Sequence, residues 1–142
     1  MREFRFWLWF GSLAVAAFNA CSAMAQDTSV AIELNKIEAN GDQCRAYFVI
    51  DNKGDTNYDA LKLDLVMFGP DGVIGQRFAI DLAPLKAKKR TVKLFDIANT
   101  ACDQVGSFLI NDVMECKAQS GQLDNCLQDI AVSSRTKNEL TK

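Results

Sequence analysis

Cysteines, a run of cations and scattered carboxylates are the residues that could do chemistry in this 142-residue chain, because histidine is absent. Without imidazole there is no Ser-His-Asp or Cys-His nucleophile and no histidine-ligated zinc. Cys44, Cys102, Cys116 and Cys126 nowhere form Cys-x-x-Cys, the spacing of redox dithiols and many all-cysteine zinc sites. Four cysteines in an exported chain read as two disulfides, with three possible pairings. The favoured pairing is Cys44–Cys102 with Cys116–Cys126, the second closing a local loop around Ser120-Gly121.

Lys86, Lys88, Lys89, Arg90 and Lys93 place five cations within eight positions of an acidic chain. They are candidates for an anionic partner: lipid headgroups, lipopolysaccharide or an acidic protein patch, at about 1 kcal/mol per cation near an anionic surface. The plainer expectation is a solvated loop and an edge strand guarded by lysine. Residues two apart share one face of a strand, so all five cannot point the same way. A net charge of −2 and a pI near 5.1 argue against a general nucleic-acid binder.

Carboxylates supply two further candidates. The stretch Asp51-Asn52-Lys53-Gly54-Asp55-Thr56-Asn57-Tyr58-Asp59 offers oxygen ligands at alternating positions, as calcium would need. The EF-hand frame from Asp55 fails, because Ala60 stands at the glycine position and Val66 at the bidentate glutamate. An Asx-rich loop capping its own backbone is the expectation instead. Asp64 with Asp81, or Asp112 with Glu115, are the acid pairs a glycosidase would need. A platform of aromatics around them is missing, so no catalytic residue, metal or cofactor is expected. A small calcium- or carbohydrate-dependent lectin or hydrolase is the alternative reading.

The elements that would position these groups begin after an address. Arg2 and Arg5, the mostly apolar run Phe6 to Phe18 and the small-x-small motif Ala23-Met24-Ala25 match a secretory signal peptide cleaved before Gln26. Cleavage would remove Cys21, both tryptophans and any stable transmembrane segment. Phe18-Asn19-Ala20 is a poor lipobox for lipidation of Cys21. The remaining 117 residues carry a charge of −3, and a chain of this size can bury one real core.

Apolar residues in this remainder recur with period two, the mark of half-buried strands. Val30, Ile32 and Leu34 alternate, and Asn40-Gly41 signals a hairpin. Cys44, Ala46, Phe48 and Ile50 follow, then Leu61, Leu63, Leu65 and Met67 up to the turn Gly69-Pro70-Asp71-Gly72. Further strands are expected over 73–82, 91–97 and 105–116, with a seventh over 127–134 and a polar, frayed tail over 136–142. Phe68 and Phe95 fall opposite the Leu63/Leu65 and Val92/Leu94 stripes, and with Tyr47 and Tyr58 they are candidates for an exposed aromatic surface. Six or seven short strands bounded by turns predict an all-β fold, an immunoglobulin-like antiparallel β-sandwich in a single domain over 26–142.

One segment carries a family resemblance. Asp51-Asn52-Lys53-Gly54 ends a strand. Tyr58-Asp59-Ala60-Leu61-Lys62-Leu63, Val66-Met67-Phe68, Gly69-Pro70-Asp71-Gly72 and Leu82-Ala83-Pro84-Leu85-Lys86-Ala87 follow in order. From Phe48 through Leu94 this resembles the FxLYD-type immunoglobulin-like domains of bacterial exported proteins. The whole chain is similar to small periplasmic proteins of proteobacteria. Met67-Phe68-Gly69 stands where that family has Leu-Tyr-Asp. The resemblance implies a sandwich fold, a periplasmic or secreted location and a non-enzymatic accessory role. It brings no catalytic residues with it. The function expected is a binding module offering a sheet face or the basic loop to an envelope protein or anionic surface.

Overall fold

The computed structural model describes residues 28–142; the expected signal segment and Cys21 lie outside them. Alternating side chains build nine strands among the described residues: β1 (Val30–Asn40), β2 (Gln43–Asn52), β3 (Tyr58–Phe68), β4 (Ile74–Asp81), β5 (Lys89–Ile97), β6 (Ser107–Ala118), β7 (Gly121–Gln122), β8 (Ile130–Ser134) and β9 (Glu139–Thr141). Sheet A runs β5-β2-β1-β8. Sheet B runs β4-β3-β6-β7, with β9 also on β6. The two sheets form the all-β sandwich that the alternation predicts. The alternating stretches became strands because each had one apolar face to bury.

Phe48 on β2 and Phe108 on β6 meet edge to face across the sandwich, with ring centroids 6.3 Å apart. Ile32, Leu34, Ile50, Leu61, Leu63, Leu65 and Ile110 complete the buried layer around them. The structure joins Cys44 to Cys102, and Cys116 to Cys126. The first bridge links β2 of sheet A to the segment entering β6 of sheet B.

Local chemistry explains the turns. In the first hairpin Asn40 pairs with Gln43, so the loop is Gly41-Asp42, one residue later than the Asn40-Gly41 signal suggests. Gly41 carries the positive φ, +61°, that glycine accepts without strain. Gly106 is required for another reason: a Cβ there would stand 2.3 Å from the carbonyl oxygen of Gly69. That close approach lets the Gly106 N–H donate to the Phe68 carbonyl at 2.7 Å, docking the β3–β4 turn on the start of β6.

Two expectations fail. The sandwich is not antiparallel throughout, since β8 lies parallel to β1 and β9 parallel to β6. The tail is not frayed either. Leu140 is 6% exposed and joins the core, and Asn138 is 2% exposed. Asn138 Nδ2 donates to the carbonyls of Val105 and Gly106 at 2.6 and 3.0 Å. One apolar residue in phase, one amide reaching buried carbonyls and the β9–β6 ladder together order a polar-looking segment.

Candidate functional site

The face of sheet A that points away from the core is built by the residues between the buried ones. On β2 these are Arg45, Tyr47, Val49 and Asp51; on β5 they are Arg90, Val92, Leu94 and Asp96. The register sets them in four rows: Asp51 opposite Arg90, Val49 opposite Val92, Tyr47 opposite Leu94 and Arg45 opposite Asp96. Two apolar rows are thus framed by two charged ones. Val92 is 58% and Leu94 52% exposed, among the most exposed large hydrophobic side chains described.

The frame is tightly bonded. Arg45 grips Asp96 with two hydrogen bonds, Nε to Oδ1 at 2.7 Å and Nη2 to Oδ2 at 2.9 Å. The Arg45 guanidinium holds the Asp96 carboxyl below its ordinary range, with Asn40 assisting. Arg90 reaches Asp51 at 3.2 Å. On β1, Lys36 and the Tyr47 hydroxyl both bond Glu38, and the Lys36 ammonium stands 5.4 Å from the Tyr47 ring centroid. The hydrogen bond from Lys36 and then that from Tyr47 depress the Glu38 carboxyl. Next to the Val49/Val92 row, a shallow depression of about 450 Å³ opens between Ala31, Glu33, Ser133 and Arg135.

This arrangement reverses part of the aromatic expectation. Phe95 faces Ala46 in the register and turns inward, its ring centroid 6.0 Å from that of Phe48. Tyr58 is buried as well. A phenyl ring buries more apolar surface than valine, so β5 turns Phe95 inside and leaves Val92 and Leu94 in water. Tyr47 does lie on the outer face, and Phe68 is half-buried on the outer side of sheet B.

The basic run is dispersed. Lys88 Nζ donates to the Lys53 carbonyl at 2.7 Å and pairs with Asp55 at 3.3 Å. Arg90 is bound to Asp51, and Lys93 donates to the Ala83 carbonyl at 3.3 Å on the inner side. Lys86 and Lys89 are exposed in the loop and at the start of β5. The five cations therefore do not converge, and three of them are already engaged.

The oxygen-rich loop is similarly committed. Asn52 is buried, and its amide donates to the carbonyls of Thr56 and Lys86 while its oxygen accepts from Gly54 N–H. Asn57 accepts from Ala87 N–H. These bonds clamp the β2–β3 loop to the β4–β5 loop. Among the described residues no cluster of three or more His, Cys, Asp or Glu side chains could hold a metal.

The acid pairs serve the fold. Asp64 receives both Arg77 bonds at 2.7 Å and one from Asn111 at 2.8 Å, which together hold its carboxyl low. Asp81 accepts from the Ala83 and Leu61 N–H groups. Asp112 caps Val113, and Glu115 pairs with Lys117. The site that sequence reasoning missed is the Val92/Leu94 face. Its signal was present in the period-two stripe, but the phase was ambiguous with Phe95 on the other side.

No family model matches this chain, and no curated protein matches it. Among solved structures, that of IrmA from Escherichia coli aligns with a TM-score of 0.52 and 13% identity, covering 72% of this chain and 89% of that one. The likeness is one of fold. No helix among the described residues is long and apolar enough to cross a membrane.

Proposed function

We propose that this chain is a non-catalytic binding or accessory module that works outside the cytoplasm, in the periplasm or after secretion. In this reading it meets a protein of the envelope through the outer face of sheet A. The observation that carries it is the pair of exposed apolar residues Val92 and Leu94, backed by Val49 and Tyr47 and framed by ion pairs. An apolar centre inside a polar rim is the anatomy of a protein-binding patch. Two disulfides support the compartment, since they persist in oxidising surroundings. A non-catalytic role is supported by the absent histidine and by the structural duties of Asp64, Asp81, Asp112 and Glu115. The basic loop is the weaker surface, because its cations are dispersed.

Affinity capture from envelope extract tests the reading. Bait carrying Val92→Thr with Leu94→Thr should lose the captured protein, and bait carrying Lys86→Glu, Lys88→Glu and Lys89→Glu should keep it. Equal capture by the Thr variant would overturn the sheet-face reading. Loss with the Glu variant alone would move the site to the loop.

A further inference from the structure

We propose that two copies of this chain pair edge to edge through β5, antiparallel about a two-fold axis at Lys93, joining their A sheets into one eight-stranded sheet. The inference rests on the reading of sheet A's outer face as the binding surface and names what completes it. β5 is an edge of sheet A, with β2 on one side and no strand on the other among the described residues. An open strand edge is a template for a further strand, whose main-chain hydrogen bonds supply affinity.

The outer-face side chains fit one occupant in one register. With Lys93 on the axis, Arg90 of one copy lies opposite Asp96 of the other, and Val92 lies opposite Leu94. All four belong to the outer face, so each charge meets its complement and each apolar residue meets an apolar residue. A two-fold contact repeats both matches. Shifting the axis to Val92 sets Arg90 against Leu94, and shifting it to Leu94 sets Val92 against Asp96. Neither alternative matches. The existing pairs Asp51–Arg90 and Arg45–Asp96 then link into chains of alternating sign, Asp51–Arg90 followed by Asp96–Arg45 of the second copy.

Pairing would also merge the apolar rows. Val49 and Val92 of one copy continue into Leu94 and Tyr47 of the other, twice over. The charged rows then frame a continuous patch, double the size one chain offers. Lys93 sits at the centre on the inner side, its ammonium on its own chain's Ala83 carbonyl at 3.3 Å. An inward lysine on an edge discourages strand addition, and on the axis Lys93 also faces the same lysine of the second copy, so it keeps the association weak.

Sedimentation velocity of the purified, disulfide-intact protein over a concentration series tests this. The unsubstituted chain should show a concentration-dependent dimer. Arg90→Glu and Asp96→Arg should each weaken it tenfold or more, because each sets like charges opposite one another twice. An equimolar mixture of these two variants should regain a heterodimer. There the two substituted side chains oppose each other with unlike charge, and the unsubstituted Asp96 of one variant meets the unsubstituted Arg90 of the other. Lys93→Thr should tighten the dimer. A monomer at every concentration, undiminished dimer in the single variants, a mixture that stays monomeric, or a weaker Lys93→Thr dimer would each overturn the proposal. If a charge variant fails to fold, the Lys93→Thr result decides. A monomer that still captures its partner through Val92 and Leu94 overturns the dimer alone; a dimer that captures nothing overturns the functional reading alone.

Discussion

Sheets A and B each carry an arginine that grips an aspartate on the neighbouring strand with two hydrogen bonds, and they use it in opposite ways. On sheet B, Arg77 of β4 covers Asp64 at the middle of β3, whose side chain is 7% exposed. Asn111 closes the other side. The centre of that face is thereby sealed by a polar lid. On sheet A, Arg45 and Asp96 stand at one end of the β2–β5 pair, and the middle of that pair is left to Val92 and Leu94. β6 is covered at its two ends by β9 and β7, while β5 of sheet A and β4 of sheet B each have an open side among the described residues. A charged pair at the centre finishes a face, and the same pair at the rim frames an unfinished one.

The contrast can be broken most severely by parting the two sheets. Replacing Cys44 and Cys102 by Ala opens a loop of sequence separation 58 and should cost about 4 kcal/mol in denaturant unfolding on chain-entropy grounds. Replacing Cys116 and Cys126, separated by 10 residues, should cost about 3 kcal/mol. A larger loss from the local bridge would mean that it, and not β2–β6 tethering, holds the sheets together.

Unsealing sheet B comes next. Leu140→Ala removes a buried side chain of β9 and should lower unfolding free energy by about 2–4 kcal/mol. A loss below roughly 0.5 kcal/mol, typical of surface sites, would show β9 to be an ornament.

The two arginines sharpen the comparison further. Arg77→Ala strands a carboxylate with little water access, and Arg45→Ala leaves Asp96 at an open rim. The thermal midpoint should fall more for the first, and equal falls would erase the distinction between lid and rim. Acid should erode both. Asp64 and Asp96 have carboxyls held below their ordinary value of 3.8 by the Arg77 and Arg45 hydrogen bonds, respectively. The unfolded chain therefore binds their protons first as pH falls, so this stability is complete above about pH 5 and is lost through the depressed folded values. A midpoint that is flat from about pH 5 down to about pH 2 would contradict the assignment.

The smallest stability effect belongs to the candidate site. Val92→Thr with Leu94→Thr should change unfolding free energy by no more than about 0.5 kcal/mol, since both are exposed strand positions and threonine suits a strand. A large loss would mean these residues hold the fold, and the surface reading would weaken with it.

Much of this architecture was legible in residue spacing. Alternation at Val30–Leu34, Cys44–Ile50 and Leu61–Met67 marks β1, β2 and β3, since one face of each is wholly apolar. β5 was legible as a strand but not in its facing. Val92 and Leu94 on one side compete with Phe95 and Ile97 on the other, and period two is silent on which side wins. The tail was illegible because its order depends on partners far away in sequence: Leu140 in the core, Asn138 on the Val105 and Gly106 carbonyls, and the ladder of β9 on β6. The basic run looked like a cluster because adjacency in sequence resembles adjacency in space. Strand alternation and nearby acceptors pulled it apart.

Residue types and spacing alone were enough for the all-β class, the principal strands and the chemistry that missing histidine removes. These are local properties, carried by each segment's own pattern. Tertiary structure decided the sheet order, the parallel placement of β8 and β9, and the wet side of β5. Those outcomes depend on which surfaces bury the most apolar area together, a comparison among segments that no single segment contains.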